Sequence, residues 1–327
     1  MDFHLRRRQQ FLSEEYYFFL RKALEDTIEL WAVSMPANCS SELSGRAAAS
    51  EILAGANADL FLLKYTAGES VDTLRAELTG VVVGYEKAAG YARAYEQNEA
   101  SSPLMFSDIE EYERAMQLIG LCYLFHRIDL LPRVTALFDG SYSGQDNLYE
   151  DLLSYELDDR YEVDGLIHSK PYQQLLNSLD RGSDQESIQD MKQYLKSWYL
   201  AMKDARWHDS HLNLTPQGAG YYGYWAIEAA AVAFLLELDD KAFHDHLVYP
   251  ADLVEYARAL DDQTPPIPQP LDNSRLRVPG GETCPQAGYW TTPAQQNSRR
   301  LFKAGEIMPT FDHSAYGATI WQRSEEQ

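Results

Sequence analysis

The stretch GYYGYWAIEAAAVAFLLELDD, residues 220–240, decides the fold. Aromatic residues and glycines crowd its first third, and a nearly pure apolar run follows. The run falls short of the roughly 18 apolar residues that a membrane-spanning helix needs. We therefore predict a buried helix over Tyr221–Leu238, packed at the centre of a helical core.

One carboxylate, Glu228, interrupts this run, and two interpretations of it are open. A buried carboxylate with a raised pKa is one mark of a catalytic site. A buried carboxylate can equally accept hydrogen bonds from a neighbouring helix, and the absence of a partner motif favours this structural interpretation. We therefore treat Tyr222, Gly223, Tyr224, Trp225 and Glu228 as a structural core motif, in which Glu228 accepts hydrogen bonds across a helix interface.

Helical periodicity extends over most of the chain, up to about Leu260. The fold class that it predicts is mainly α, an antiparallel helical bundle or helical array, with a small C-terminal tail of short strands and turns. The other predicted helices cover Leu12–Val33, Arg46–Tyr65, Val71–Gln97, Asp108–His126, Leu130–Phe138, Leu148–Leu157, Pro171–Leu179, Gln185–Lys203 and Pro250–Leu260.

Two breaks in the pattern suggest four regions. The loop sequence DGSYSG at 139–144 separates a predicted N-terminal helical domain, 1–140, from a C-terminal helical domain, 141–262. Proline and glycine then predict an extended linker over 263–281. The last region, 282–327, is rich in aromatic and β-branched residues and predicts a small tail of strands and turns.

Charge narrows the classes of partner. The chain has 327 residues, with 28 lysines and arginines against 50 aspartates and glutamates, and its formal net charge is −22. Such a chain repels nucleic acid and anionic membrane surfaces and attracts a basic partner.

The three cysteines, Cys39, Cys122 and Cys284, are far apart and match no metal-binding or disulfide pattern. The N-terminus does not read as a signal peptide, so we expect a cytoplasmic protein without a cofactor.

An acidic run, DNLYEDLLSYELDDRYEVD at 146–164, is the strongest candidate for a binding surface. A helix continuing to about Asp158 would place Glu150, Asp151 and Asp158 on one face. Like charges at that spacing repel one another, so a basic partner is one explanation and a solvated face on an acidic protein is the other. The candidate binding residues are Asp146, Glu150, Asp151, Glu156, Asp158, Asp159, Glu162 and Asp164.

Catalytic motifs are missing from the sequence. His208 and His211 stand three residues apart, and HDH places His244 beside His246, but this spacing is generic and matches no metal-site signature. Nucleophile motifs and phosphate-binding loops are also absent. A helical enzyme built on the histidines and Glu228 is therefore the weakest hypothesis, and we expect neither catalytic nor metal-binding residues.

Three segments resemble a known family. The stretch at 220–240, followed by YPADLVEYAR at 249–258, resembles the C-terminal domain of PoNi immunity proteins, which are encoded beside PoNe-type nuclease toxins. LLKYTAGESVDTLRAELTGVVVGYEKA, at 62–88, resembles their N-terminal domain. The tail, CPQAGYWTTPA through YGATIWQ, resembles a cassette of immunity proteins from type VI secretion systems.

The resemblance implies an all-helical inhibitor without enzymatic activity that binds one cognate toxin, commonly a DNase. The acidic composition agrees, because a nuclease must hold phosphates on a basic surface. A possible homodimer is compatible with the sequence. The alternative from a different class is an adaptor or chaperone for a type VI effector, which would bind without inhibiting.

Overall fold

The computed structural model describes residues 2–215, 220–263, 277–292, 294–295, 298–311 and 319–323. The chain divides into two compact units, Met1–Asp261 and Asp262–Gln327. The first unit is helical and the second contains a small antiparallel sheet. The predicted fold class, mainly α with a small C-terminal tail of strands and turns, is confirmed.

Helices α1 to α11 span, in chain order, Phe3–Arg6, Glu14–Val33, Glu42–Thr66, Val71–Glu96, Ile109–Leu124, Leu131–Tyr142, Asn147–Ser154, Ser169–Leu179, Asp184–Ala201, Ile227–Leu235 and Ala251–Gln263. Most helices lie close to their predicted positions, but α1 was not predicted, and α7 and α10 differ from their predictions as described below.

Side-chain caps fix where the longer helices begin. Ser13, Ser70 and Ser183 precede α2, α4 and α9, and each hydroxyl accepts a hydrogen bond from a backbone N–H in the first helical turn. Asp108 does the same for α5 with two N–H groups. These caps satisfy backbone donors that have no partner inside the helix.

Helix α10 is shorter than the predicted Tyr221–Leu238, and the prediction was wrong at its N-terminal end. Residues 221–226 have no helical conformation, and Gly223 has a φ of +113°. The side-chain amide of Gln9 accepts a hydrogen bond from Tyr224 N at 2.9 Å and donates one to Tyr224 O at 2.6 Å. Backbone groups that a helix would pair internally are thus paired with a distant side chain.

Small residues bring α10 close to α5. Ala226, Ala229, Ala230 and Ala233 are fully buried. At Gly120 of α5, an added Cβ would stand 3.2 Å from the Ala231 side chain and 3.3 Å from Ile227. The alanines of α10 therefore allow the close helix approach that the sequence predicted.

A single hydrophobic cluster runs through the helical unit, from Phe3 to Ala257. The predicted division of this unit into domains 1–140 and 141–262 stays a prediction.

No helix in the described part of the chain is both long and apolar enough to cross a membrane. The cytoplasmic location also stays a prediction.

The described part of the second unit contains four strands, β1 (Arg277–Pro279), β2 (Gly288–Thr291), β3 (Arg300–Phe302) and β4 (Ile320–Arg323). They form one antiparallel sheet in the order β1-β4-β2-β3. Its own core consists of Val278, Cys284, Trp290, Phe302, Met308 and Trp321. Strand β1 lies inside the segment 263–281 that the sequence assigned to a linker, whereas 264–276 lies outside the described residues.

Candidate functional site

The acidic run leaves the helix earlier than predicted. Helix α7 ends at Ser154, and residues 155–168, named here the acidic loop, connect it to α8. Asp159 has a φ of +61°, in the left-handed region, which a right-handed helix cannot include. The predicted common helical face of Glu150, Asp151 and Asp158 is therefore wrong.

Asp146 anchors the C-terminal end of the acidic loop from a fully buried position. Its Oδ1 caps α7 by accepting a hydrogen bond from Tyr149 N at 2.9 Å, and it also accepts one from the Tyr112 hydroxyl at 2.9 Å. Its Oδ2 accepts a third, from Ile167 N at 2.8 Å. A carboxylate that satisfies three donors inside the fold is not part of the exposed surface.

Glu150 anchors the middle of the loop. It is 1% exposed and accepts hydrogen bonds from Gly144 N at 2.6 Å and Tyr161 N at 3.2 Å. Arg160 Nε donates to Glu150 at 2.7 Å, while its two terminal nitrogens each donate to Asp139 at 2.9 Å. The Arg160 side chain is only 10% exposed, so the one basic residue of the acidic run points inward.

Of the eight predicted binding residues, the structure thus leaves six in reach of solvent. Asp146 and Glu150 are buried supports, and Asp151 is half-buried. The fully exposed set consists of Glu156, Asp158, Asp159, Glu162 and Asp164. The charge pattern could not separate these groups, because both kinds of position carry the same residue types. Binding by the exposed set stays a prediction.

The pKa of Asp151 is raised by its surroundings. Burial raises the pKa of its carboxyl to about 6, and the nearby Asp180, Asp146 and Glu150 add to the increase by repulsion. Negative charge is therefore concentrated at the base of the acidic loop as well as on its surface. A cationic partner at this position would relieve the repulsion.

Hydrogen bonds hold the aromatic motif ahead of α10 in place, and its role as a structural core motif stays a prediction. The Tyr224 hydroxyl lies 2.8 Å from His211 Nδ1, and Trp225 Nε1 donates to Thr66 Oγ1 at 2.8 Å. Thr66 in turn donates to Tyr222 O at 2.5 Å. These bonds tie residues 221–226 to α3 and to the loop after α9, so the motif joins distant parts of the helical unit.

Gly223 gives a direct test of this structural role. An added Cβ would stand 2.1 Å from Thr66 Oγ1 and 2.4 Å from Trp225 Nε1. We expect Gly223→Ala to lower the free energy of unfolding by about 2–3 kcal/mol, through left-handed strain and overpacking. Gly182→Ala is the matched control, because its added Cβ would meet nothing within 4 Å. Equal denaturation midpoints for the two variants would contradict the structural role.

Glu228 sits in the hydrogen-bond network that the sequence predicted. Its Oε1 accepts from the Tyr194 hydroxyl at 2.5 Å and from Trp198 Nε1 at 3.1 Å. Its Oε2 is buried and has no hydrogen-bond partner among the described residues. Burial raises the pKa of Glu228 to about 7, although the two donors oppose the increase.

A second buried carboxylate, Glu113 of α5, lies near enough to Glu228 to feel its charge, and the sequence did not predict it. Glu113 accepts hydrogen bonds from Gln117 Nε2 and from Trp207 Nε1, both at 2.8 Å. Burial and the nearby Glu228 raise its pKa well above the ordinary value. The sequence did contain a signal for Glu113. It lies between Tyr112 and Met116, both of which were predicted to face the core, and charged residues are rare on the buried face of a helix.

This carboxylate pair is closed to substrates. Glu228 is 0% exposed and Glu113 is 4% exposed, so no molecule from solvent reaches them.

The histidines make local contacts: His244 approaches Asp245 and Glu255 at 3.2 and 2.9 Å. Within the described part of the chain, no group of three or more His, Cys, Asp or Glu could hold a metal ion. Burial also raises the pKa of the Cys122 thiol to about 12, which keeps it unreactive.

Comparison with known proteins places the acidic loop and α10 in one matching region. Residues 144–253 match the family described as PoNe immunity proteins (PoNi), C-terminal. The match covers about a third of the chain, and it confirms the resemblance to a PoNi-type immunity protein. No curated protein matches the chain.

The fold is similar to that of a solved structure, protein PA2201 from Pseudomonas aeruginosa. The TM-score is 0.62 and the sequence identity is 22%. The superposition covers 78% of this chain and 92% of that chain. At this level of identity the likeness concerns the fold alone.

Proposed function

We propose that this chain, which resembles a PoNi-type immunity protein, binds and neutralises a cognate secreted antibacterial toxin in the cytoplasm. We propose further that the toxin is a DNase delivered by a type VI secretion system, and that the immunity protein is not itself an enzyme. The observation that carries the proposal is the acidic loop, where five exposed carboxylates surround a single arginine that points inward.

Three of the exposed carboxylates have no bonding partner among the described residues. The side chains of Glu156, Asp158 and Glu162 make no hydrogen bond or ion pair with any described residue. Unpaired like charges close together on a surface repel one another and lower stability. A binding function accounts for them, because a basic partner would convert this repulsion into attraction.

A nuclease is the partner whose chemistry fits. Its cleft must carry lysines and arginines that hold phosphates, and an acidic protein surface can occupy the same cleft. Opposite charge on the two surfaces speeds the encounter, which matters for an inhibitor that must act before DNA is cut. Nuclease–immunity pairs are among the tightest complexes known, with Kd reaching about 10⁻¹³ M or below.

The buried supports suit the loop for binding. Asp146 and Glu150 bond to Ile167 N and Tyr161 N, so the loop backbone is held at two points. Arg160 adds side-chain bonds to Glu150 and Asp139. A loop that is ordered before binding loses less conformational entropy when the complex forms.

A rescue experiment tests the proposed function. The toxin encoded by the neighbouring gene is expressed with and without this chain, and growth and chromosomal DNA are followed. We expect restored growth with intact DNA. Restored growth against a toxin that never cuts DNA would retain immunity but refute the DNase assignment. A complex that co-purifies without restoring growth would refute immunity and favour the adaptor alternative.

Charge reversal tests the site separately. We expect Glu156→Lys, Asp158→Lys and Glu162→Lys together to weaken toxin binding by about 100-fold, mainly through a slower association rate. The three side chains are exposed and unpaired, so the fold should persist. Surface plasmon resonance at two salt concentrations measures the rates, and the loss should shrink at high salt.

The matched control reverses three exposed carboxylates outside the loop, Glu51, Glu99 and Asp204. Both triple variants change the net charge equally. An equal loss of affinity in both would show that net charge matters and the acidic loop does not. Asp159 is left unchanged because lysine in its left-handed conformation would be strained.

A further inference from the structure

A groove with an uncovered apolar lining lies far along the chain from the acidic loop. It has a volume of about 590 Å³ and is walled by the end of α2, by α3 and by α4. Trp31, Val33, Met35 and Leu53 line it, and Val33 is 89% exposed and Met35 43% exposed. Contiguous apolar surface of this kind marks an interaction site in soluble proteins.

Glycine in the groove wall leaves room for a neighbouring backbone. Gly80 lies in the interior of α4 and is exposed, and an added Cβ would meet nothing within 4 Å. Glycine inside a helix costs about 1 kcal/mol relative to alanine. No contact within the described chain explains this cost, whereas a second backbone passing over α4 would.

The charge of the groove identifies the kind of occupant. Arg46 and Lys87 line it, and no carboxylate does. Arg46 pairs with Glu42 at 2.7 Å, so Lys87 is the cation that an occupant would meet. Lys87 is exposed, and its side chain has no hydrogen bond or ion pair with the described residues. A basic toxin would be repelled here, so the occupant should carry carboxylates beside apolar side chains.

Helix α2 of this chain has those features. Val33 protrudes from its end, and Leu30 is 54% exposed. Glu29 stands one turn before Val33, is exposed, and makes no side-chain bond with any described residue. An unpaired acid therefore stands on α2 just outside the groove, and the unpaired Lys87 lies within its lining.

We infer that the groove binds a second copy of this chain in a two-fold symmetric dimer. A two-fold axis along α3, in the plane of the contact, places α2 of each copy over α4 of the other. Val33 of each copy then packs against α4 of the other, and Glu29 faces Lys87 of the second copy. Symmetry forms every contact twice. The inference does not depend on the proposed function.

Sedimentation velocity of the full chain between about 1 and 200 µM tests it, because typical weak dimers dissociate within that range. We expect a concentration-dependent dimer, and we expect Val33→Asp to raise its dissociation constant at least about 10-fold by burying an unpaired charge. Leu212→Asp is the control, since Leu212 is 73% exposed and lies outside the groove. It should leave the dimer unchanged.

A charge swap tests the orientation of the two copies. Glu29→Lys and Lys87→Glu alone should each weaken the dimer about 10-fold at low salt, since each disrupts two ion pairs. The double variant should recover most of the affinity. A wild-type chain that stays monomeric overturns the inference, as does a double variant as weak as the singles. If the wild-type chain stays monomeric and Val33→Asp loses toxin binding, the groove belongs to the toxin instead.

Discussion

Replacing Arg160 by alanine is expected to lower the free energy of unfolding by about 3–5 kcal/mol, the cost of removing one partner from a buried ion pair. Arg160 is 10% exposed and Glu150 is 1% exposed, so the variant leaves an uncompensated carboxylate inside the protein. Two bonds to Asp139 are lost as well. Urea denaturation followed by circular dichroism measures the change.

The matched control is Arg181→Ala. Arg181 also pairs with a carboxylate, Asp190 at 2.5 Å, but its side chain is 41% exposed. An exposed pair contributes about 0–1 kcal/mol, so this variant should unfold near the wild-type midpoint. If both arginine variants unfolded alike, the buried anchor of the acidic loop would have no special role in stability.

A conservative variant separates the anchor from general stability. Arg160→Lys keeps one positive charge but cannot reach Glu150 and Asp139 at once with a planar, forked group. We expect it to fold with an intermediate stability and to associate with the toxin more slowly than wild type. The association rate is the informative quantity, since the loop carries its charges whether or not it is ordered. An unchanged rate would show that the order of the loop does not matter for binding.

Local signals predicted the helices well, because each depends on residues close in sequence. Amphipathic spacing and the caps at Ser13 and Ser70 fix α2 and α4 without help from distant residues. The prediction of where α10 begins failed because the side chain of Gln9, more than two hundred residues away, bonds to the backbone of Tyr224. A contact of that range leaves no trace in a local pattern, and only Gly223 hinted at a break.

The candidate site was predicted in part for a similar reason. The density of acidic residues singled out the run at 146–164, since it can be read directly from the sequence, but binding by this run stays a prediction. That density could not show that Asp146 and Glu150 face inward, because their partners Ile167 and Tyr161 meet them only in the folded loop. The inward orientation of Arg160 has the largest consequence, since the one positive charge of the acidic run is absent from the exposed surface of the acidic loop.

Glu228 should make the stability of the protein fall as pH rises. Its pKa is about 7 in the folded protein, whereas the ordinary value is 4.5. Between these values the folded protein binds one more proton at this site than the unfolded chain does. The contribution of Glu228 to the free energy of unfolding is therefore complete below about pH 4.5. It is lost as the pH rises to about 7, which lowers the free energy of unfolding by roughly 3 kcal/mol.

Glu228→Gln is expected to remove this dependence. Glutamine keeps an oxygen that can accept from Tyr194 and Trp198 but cannot ionise. At pH 5 the variant should be close to wild type, and at pH 8.5 it should be more stable by roughly 2–3 kcal/mol. Glu113 and Asp151, whose pKa values are also raised, leave a weaker slope of the same sign in the variant. The difference between the two curves isolates Glu228.

Glu228→Ala distinguishes the charge from the hydrogen bonds. It also removes the titration, but it leaves the Tyr194 hydroxyl and Trp198 N–H without their acceptor. We expect a loss of about 1–3 kcal/mol at pH 5, where Glu228→Gln has almost none. Denaturation curves of the three proteins from pH 5 to 8.5 decide the matter. Parallel pH profiles for wild type and Glu228→Gln would mean that Glu228 stays ionised in the core, so that its donors outweigh the cost of burial.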